Sequence, residues 1–421
     1  MPRGMVVTVG LGREVEHGIA FALAQGRPEF VVFVVTPKSR AKLEAIHNVL
    51  AKKGEALPDH AVVELADEND VEQAYRATRQ ALAQLRQRGL PAEAIALDYT
   101  SGSKPMAAGA LYAALLEGCG TISYITGERD PSGRVISNTE RLWLAKPVHL
   151  LAELLLQRGI QLFNLRQFRA VQNLLGPFLK EFPAEHAQGL FPTLVCLNAL
   201  AQAYEAWDAF DHAKARERFC HVNRKTVQVW PEKVRENLLR NKGWVCRLSE
   251  RLTSAEDKEK LCPELLVDLW ANALRRLQEG RFLDAVARLY RLVELIAQFR
   301  LLHRYGINTN RVELAQLPTS NRAYYERFLN DRGELKLGAH NAYKLLADLG
   351  DTLGHEYFKG HLDHALSARN NSVIGHGLNT ATEEVARQLC AAVEPFLRSV
   401  VPDLEEKVAM ASFPVLEAPK T

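Results

Sequence analysis

Two stretches of the sequence hold side chains whose types and spacing could do chemistry. The first is ARNNSVIGHG, residues 368–377, where Arg369 and His376 stand seven positions apart around an Asn-Asn-Ser run. A guanidinium can hold the charge that builds on a phosphate when a ribose 2′-OH attacks it. An imidazole, titrating near neutrality, can move the proton. Such a pair could cut an RNA strand without a metal. On a continuous helix, positions seven apart share a face but differ by roughly 10 Å in height, too far for one phosphate to meet both comfortably. Either the backbone around Asn370–Ser372 departs from a helix, or a second subunit completes the site across a two-fold axis. Gly375 and Gly377 flank His376 and leave little bulk to screen it. Glycine weakens a helix by about 1 kcal/mol, so its presence asks for a reason. The plain alternative is that Asn-Asn-Ser caps a helix carrying an ordinary histidine.

The second stretch is DYTSGSKPMAAGAL, residues 98–111. Thr100, Ser101, Gly102 and Ser103 offer hydroxyls and backbone N–H groups, Lys104 adds a positive charge, and Pro105 suits the first turn of a helix. A Walker A loop would need glycine directly before the lysine, where Ser103 stands. Nearer the start, TVGLGREVEHG supplies Thr8, Gly10 and Gly12, so a ligand could approach the backbone closely. A dinucleotide fingerprint would need glycine at Val15 and an acidic end to the second strand, which instead reads VTPKS. Nicotinamide dinucleotides are therefore disfavoured, and an anion or nucleotide remains. The plain alternative here is a tight β–α turn with an ordinary N-cap.

The elements that would position these residues follow from periodicity. Residues 5–10, 30–36, 61–65, 94–99 and 121–125 are short β-branched apolar runs, and helical patterns occupy 14–25, 38–53, 69–88 and 104–117. Continuous apolar strands alternating with helices predict a mostly parallel, Rossmann-like α/β sheet buried on both faces. The Pro-Ser-Gly turn in ERDPSGRV, 128–135, predicts a terminal hairpin on that sheet. From about 146 onward the strand signal vanishes and apolar residues recur at helical spacing. Three segments, RGIQLFNLRQFRAVQNLL, LAQAYEAWDAFDHAKARERF and RRLQEGRFLDAVARLYRL, resemble tetratricopeptide-like helical hairpins. Their spacing is irregular, which argues for hairpin packing without a true array. The polar stretch at 251–265 reads as a boundary. The expected organisation is an α/β domain at 1–146, a helical connector at 147–262 and an all-α domain at 263–421.

Composition bounds the rest. Of 421 residues, 47% are apolar and 24% charged, as in ordinary globular domains, and a net charge of +3 gives no global attraction to nucleic acid. Six scattered cysteines without a CxxC pair read as reduced thiols. No signal-peptide pattern opens the sequence, and no apolar run nears the roughly 20 residues that span a bilayer. The expectation is a soluble, cytoplasmic protein with no membrane partner. His355, His361 and His364 lie close together with Glu356 and Asp363, but their spacing fits no zinc pattern, so no metal site is assigned. Arg288, Arg291 and Glu294 share a helical face and read as an exposed salt-bridge surface. No GxSxG elbow supports a serine hydrolase.

A family resemblance now adds to these readings. RNNSVIGHG resembles the RNxSxxxHG form of the Arg-x(4–6)-His signature of HEPN ribonucleases, and LDYTSGSKPM resembles the strand-four motif of CARF domains, sensors of cyclic oligoadenylates. LDAVARLYRLVELIAQFRLL, 283–302, is similar to a first HEPN helix. That order of domains is the order of the CRISPR-associated ribonucleases of type III systems. The resemblance implies Arg369 and His376 as the catalytic pair, with Asn370 in support. It implies Thr100, Ser101, Gly102, Ser103 and Lys104 as the ligand loop, with Thr8, Gly10 and Leu11 opposite. Ser101 stands where a second glycine is common, which leaves the ring size of the ligand open. The resemblance further implies a homodimer or an intramolecular equivalent, with one unit of each kind per chain favouring two chains. It also implies a single-stranded RNA substrate, a cyclic oligoadenylate as allosteric activator and no other cofactor. A different class stays open: a non-catalytic, cyclic-nucleotide-sensing adaptor whose helices bind a protein.

Overall fold

The computed structural model describes residues 3–129, 131, 135–136, 139–181, 189–360, 362 and 380–418. The chain falls into two compact units, Met1–Ala201 and Gln202–Thr421.

The first unit is built on a six-stranded sheet in the order β3-β2-β1-β4-β5-β6. Strands β1 (Gly4–Thr8), β2 (Phe30–Val35), β3 (Asp59–Glu64), β4 (Ile95–Asp98) and β5 (Thr121–Thr126) run parallel. Strand β6 (Arg141–Ala145) returns antiparallel to β5, and Arg129 bridges Val135 within the expected hairpin. Helices α1 (Val15–Gly26), α2 (Lys42–Lys52), α3 (Val71–Gln87) and α4 (Lys104–Leu116) follow the first four strands. Because side chains alternate across a strand, Met5 and Val7 pack with Ile19 of α1 and Ile46 of α2. Val6 and Val32 point the other way, onto Ala81 of α3 and Ala110 of α4. Each of these large buried side chains contributes about 1.5–3 kcal/mol of hydrophobic stabilisation. Helix α2 begins four residues later than its sequence pattern, because the Ser39 hydroxyl accepts from the Thr36 N–H (2.9 Å) and the Thr36 hydroxyl accepts from the Ser39 N–H (3.1 Å), closing a turn instead. Helices α3 and α4 approach closely at Gly109, where a Cβ would lie 2.5 Å from Val71 O and 2.8 Å from Tyr75 N.

The three hairpin-like segments fold as hairpins with one shared turn. Helix α5 (Val148–Asn164) is followed by α6 (Phe168–Glu181), α7 (Phe191–Asp208) by α8 (His212–Phe219), and, after α9 (Glu232–Leu252) and the short α10 (Asp257–Lys260), α11 (Pro263–Gln278) by α12 (Phe282–Tyr305). Two residues past each first helix the backbone turns left-handed, at Arg166 (φ 58°), Phe210 (φ 67°) and Gly280 (φ 71°). The same pair of backbone hydrogen bonds closes each turn: Arg166 to Phe163 and Gln167 to Leu162, Phe210 to Trp207 and Asp211 to Ala206, Gly280 to Leu277 and Arg281 to Arg276. That is a Schellman-type stop, satisfying carbonyls the helix end leaves open. The stops are separated by unequal lengths of chain, so local turn chemistry repeats while an array does not.

In the second unit, α12 packs against α11, against α14 (Ala339–Asp348, after the short α13, Arg322–Glu326) and against the helix Glu383–Val400. The Tyr343 hydroxyl of α14 donates to Val293 O of α12 at 3.0 Å, and its ring stacks on Tyr357 with centroids 4.1 Å apart. Buried polar groups cross the core. Asp268 of α11, fully buried, accepts from Trp207 Nε1 at 2.8 Å and Trp244 Nε1 at 3.3 Å, with His212 Nε2 2.8 Å away. Among the described residues no helix is long and apolar enough to cross a membrane.

Candidate functional site

Strand β1 pairs with β2 on one side and β4 on the other, so the winding of the sheet reverses between β1 and β4. Crevices at such a reversal, beyond the carboxyl ends of the strands, are where open α/β sheets bind ligands. The two loops singled out in the sequence leave the sheet here, side by side. The buried Thr8 hydroxyl donates to Ser101 O, and Gly10 N–H donates to Ser101 Oγ at 2.9 Å. A Cβ on Gly10 would lie 2.7 Å from Gly102 N and 2.8 Å from Gly102 Cα, so the loops meet backbone to backbone. Gly102 itself has φ +124°, a conformation that L side chains rarely adopt. Both glycines are thus required by the contact, and Thr8, Gly10 and Ser101 form its brace.

Asp98, the last residue of β4, holds the base of the loop. It is fully buried; one carboxylate oxygen accepts from Thr100 N–H at 3.1 Å and the other from the Ser123 hydroxyl at 2.8 Å. Burial pushes its pKa up, against the pull of those hydrogen bonds from Ser123 and Thr100. The Thr100 hydroxyl accepts from Ile125 N–H at 2.9 Å, tying the loop to β5. Ser103 caps α4 by accepting from Met106 N–H at 3.1 Å, and its hydroxyl donates to Glu68 O. Pro105 occupies the first turn, as the sequence predicts.

A cavity of about 200 Å³ opens beside this brace, with Arg13, His17, Thr100, Ser101, Ile125 and Glu140 among its lining. Thr100 and Ser101 of the sequence-derived set line it. Gly102, Ser103, Lys104 and Leu11 lie in the same two loops without lining that cavity; Gly102, Lys104 and Leu11 are exposed. Arg13, His17 and Glu140 were not singled out from the sequence. A charged residue at a helix start carries no special pattern, and Glu140 arrives only through the antiparallel return of β6. Neither Arg13 nor Lys104 makes an ion pair among the described residues, so both cations are available to an anion.

Arg369, Asn370 and His376 lie outside the described residues, as do His361, Asp363 and His364. The described elements on either side are firmly anchored. Asp351, with a side chain 0% exposed, caps α15 (Thr352–Tyr357) by accepting from Leu353 N–H at 3.0 Å. It also accepts from Arg300 Nε at 2.9 Å and the Tyr305 hydroxyl at 2.9 Å, which fastens α15 to α12. Burial disfavours its charge, but the hydrogen bonds from Leu353, Arg300 and Tyr305 outweigh that and hold its pKa below the usual carboxylate value. On the other side, Thr382 caps the helix Glu383–Val400 by accepting from Val385 N–H at 3.3 Å. The face formed by Arg288, Arg291 and Glu294 divides: Arg291 pairs with Glu294 at 2.7 Å, whereas Arg288 turns inward to Asn272 and Asp284 O. Among the described residues no three His, Cys, Asp or Glu side chains converge as metal ligands.

Residues 254–399 match the family described as Csm6 HEPN domain. No curated protein matches the chain. Among solved structures, Enterococcus italicus Csm6 bound to cyclic hexa-2′-fluoro-hexa-dAMP is similar over 98% of this chain and 98% of its own, with a TM-score of 0.60 and 13% identity. Can2 from Sulfobacillus thermosulfidooxidans in complex with cyclic tetra-adenylate is similar over 51% of this chain and 68% of its own, at 14% identity and a TM-score of 0.25. At these identities the first likeness is one of fold, and the second adds no further argument.

Proposed function

We propose, from the premise that residues 254–399 are a Csm6-type HEPN domain in a chain with the fold of Csm6, that this protein is a CRISPR ribonuclease activated by a cyclic oligoadenylate. The observation that carries the reading is the HEPN match, which spans the Arg369–His376 pair noted from chemistry alone. The braced loops and their cavity at the sheet reversal supply the sensing half.

Arg369 holds the non-bridging oxygens of the scissile phosphate, and His376 moves the proton as the 2′-OH attacks. The bond to the 5′-oxygen breaks and a 2′,3′-cyclic phosphate remains, with no metal taking part. Asn370 orients the pair. Two copies of the chain bring two such pairs together over one single-stranded RNA. In the sensing unit, Thr100, Ser101, Gly102, Ser103 and Lys104 hold the ligand's phosphates, with Thr8, Gly10 and Leu11 opposite and Arg13 beside them. The ligand acts by favouring one arrangement of the dimer over another, since only differential affinity shifts a population.

The test is an RNase assay on the full chain in EDTA, with labelled unstructured RNA and a panel of cyclic oligoadenylates of different ring size. Cleavage stimulated by one ring size, with cyclic-phosphate ends, is expected. Arg369→Ala and His376→Ala should each lower it on the order of 10²–10⁴-fold. Unchanged cleavage in either variant removes the catalytic assignment. Ligand binding without any cleavage would favour the adaptor.

A further inference from the structure

Charge is spread unevenly along the second unit. Between Lys214 and Arg251 the sequence has eleven Lys or Arg against four Asp or Glu, while the whole chain sums to +3; everything outside this stretch is therefore net negative. The stretch covers α8, α9 and the loop between them. Farther along, surface cations find carboxylates: Arg281 with Asp284, Lys344 with Asp348, Arg387 with Glu383. Here only Arg216, Arg218 and Arg251 do so. The other eight make no ion pair among the described residues. Unpaired like charges on one hairpin raise the local potential and repel one another, a cost that a bound polyanion removes.

Helix α9 arranges part of this charge in a row. Val234, Leu238, Val245 and Leu248 are buried, and Lys233, Arg240 and Arg247 recur at every seventh position. Seven residues return to within about 20° of the same face and advance about 10 Å. Beside the row, Gly243 leaves the backbone bare, and Arg247 Nη1 lies 3.2 Å from where a Cβ would stand. On the side toward α8, Lys242 donates to Val222 O at 2.6 Å and Arg216 pairs with Glu250 at 2.9 Å, which fixes the hairpin. Among the described residues from 196 to 327 no large apolar side chain is exposed. That removes the aromatic anchors of a protein interface and the wedge of a membrane-binding helix. A surface of cations without such anchors suits phosphates read without base contacts.

We propose that the α8–α9 hairpin is a docking track for the phosphodiester backbone of single-stranded RNA, with Lys233, Arg240 and Arg247 as its main row. The identity of the strand rests on the ribonuclease reading above; the track itself rests on the charge and its placement.

The experiment uses the full chain and a 2′-O-methyl oligoribonucleotide, which binds but offers no 2′-OH for cleavage. Each phosphate contact to a single strand contributes about −0.7 to the slope of log K against log salt. Exchanging Lys233, Arg240 and Arg247 together for glutamine should therefore make the slope less negative by about 2 and weaken binding tenfold or more at low salt. In cleavage assays the same variant should raise KM for long RNA while leaving kcat, and turnover of a tetranucleotide, unchanged. An unaltered slope in a variant with wild-type circular dichroism overturns the track, whether or not the chain cleaves RNA. Equal loss of affinity for the oligoribonucleotide and for polyglutamate also overturns it, by showing a general polyanion surface. If the chain proves to be no nuclease, the binding arm still decides.

Discussion

At the scale of single residues, the braced loops at the sheet reversal turn on two glycines and carry one exposed lysine. Gly10 has no room for a methyl group, because the atoms it would strike are backbone atoms of Gly102. Gly10→Ala must part the loops, and an overpacked core position typically costs 1–3 kcal/mol. A fall in Tm of the first unit is expected, with the ligand stimulation lost; a wild-type Tm would show that the loops are free to separate. Lys104 tests the other property of the site, its charge. It is exposed and free of ion pairs among the described residues, so Lys104→Glu leaves packing alone and inverts the field at the start of α4. Activation by ligand should vanish while basal RNA cleavage persists. Full activation would show that the phosphates lie elsewhere, Arg13 being the next candidate.

At the scale of elements, the first unit was largely legible in the sequence and the second only in outline. Runs such as FVVFVVT, buried on both faces, leave few alternatives to a central parallel strand, and each of the five parallel strands lies within two residues of its apolar run, whereas β6 had no such run to mark it. The shape of the loop after β4 was legible for a related reason: Thr100, Ser101 and Gly102 are needed for a tight turn that also meets Gly10. Asp98 was not, because an acidic residue closing a strand reads as the first polar residue of a loop, whereas here it is the buried hinge. Asp208, Asp268 and Arg275 share this fate, since charge in a helix reads as surface until a partner is brought to it by the fold. Asp208 accepts from Arg275 Nε at 3.0 Å, and only the α7–α11 packing makes that contact. The anchor between α12 and α15 carries a pH signature. Asp351 has a folded pKa below its unfolded value, so its contribution is complete above the unfolded value of about 4 and is lost as pH falls through the folded one. Asp351→Asn should lower stability by about 2 kcal/mol at pH 7, with the difference from wild type closing as pH falls below about 4. Urea unfolding across that range measures it; a difference independent of pH would remove the carboxylate from the account.

At the scale of the whole molecule, the proposed ribonuclease pairs two chains, and the first unit shows apolar surface suited to pairing. Tyr112 and Leu116 on α4, Leu150 and Leu154 on α5, and Trp143 and Leu144 on the edge strand β6 are all exposed. Light scattering should give twice the 47.1 kDa of one chain. Replacing Leu150 and Leu154 with glutamate should shift that mass toward the monomer and remove RNA cleavage with it. A variant that becomes monomeric yet keeps full cleavage would show that one chain holds a complete site.

The contact at Gly109 has a mechanical result for this unit. With α4 pressed onto the backbone of α3 there, and the Tyr75 and Tyr112 rings in contact across the same two helices, the two form one plate. Lys104 sits at one edge of that plate, and α5 touches α4. A shift of α4 imposed by a ligand at the near edge would therefore carry α3 with it and reach α5 through its contact with α4.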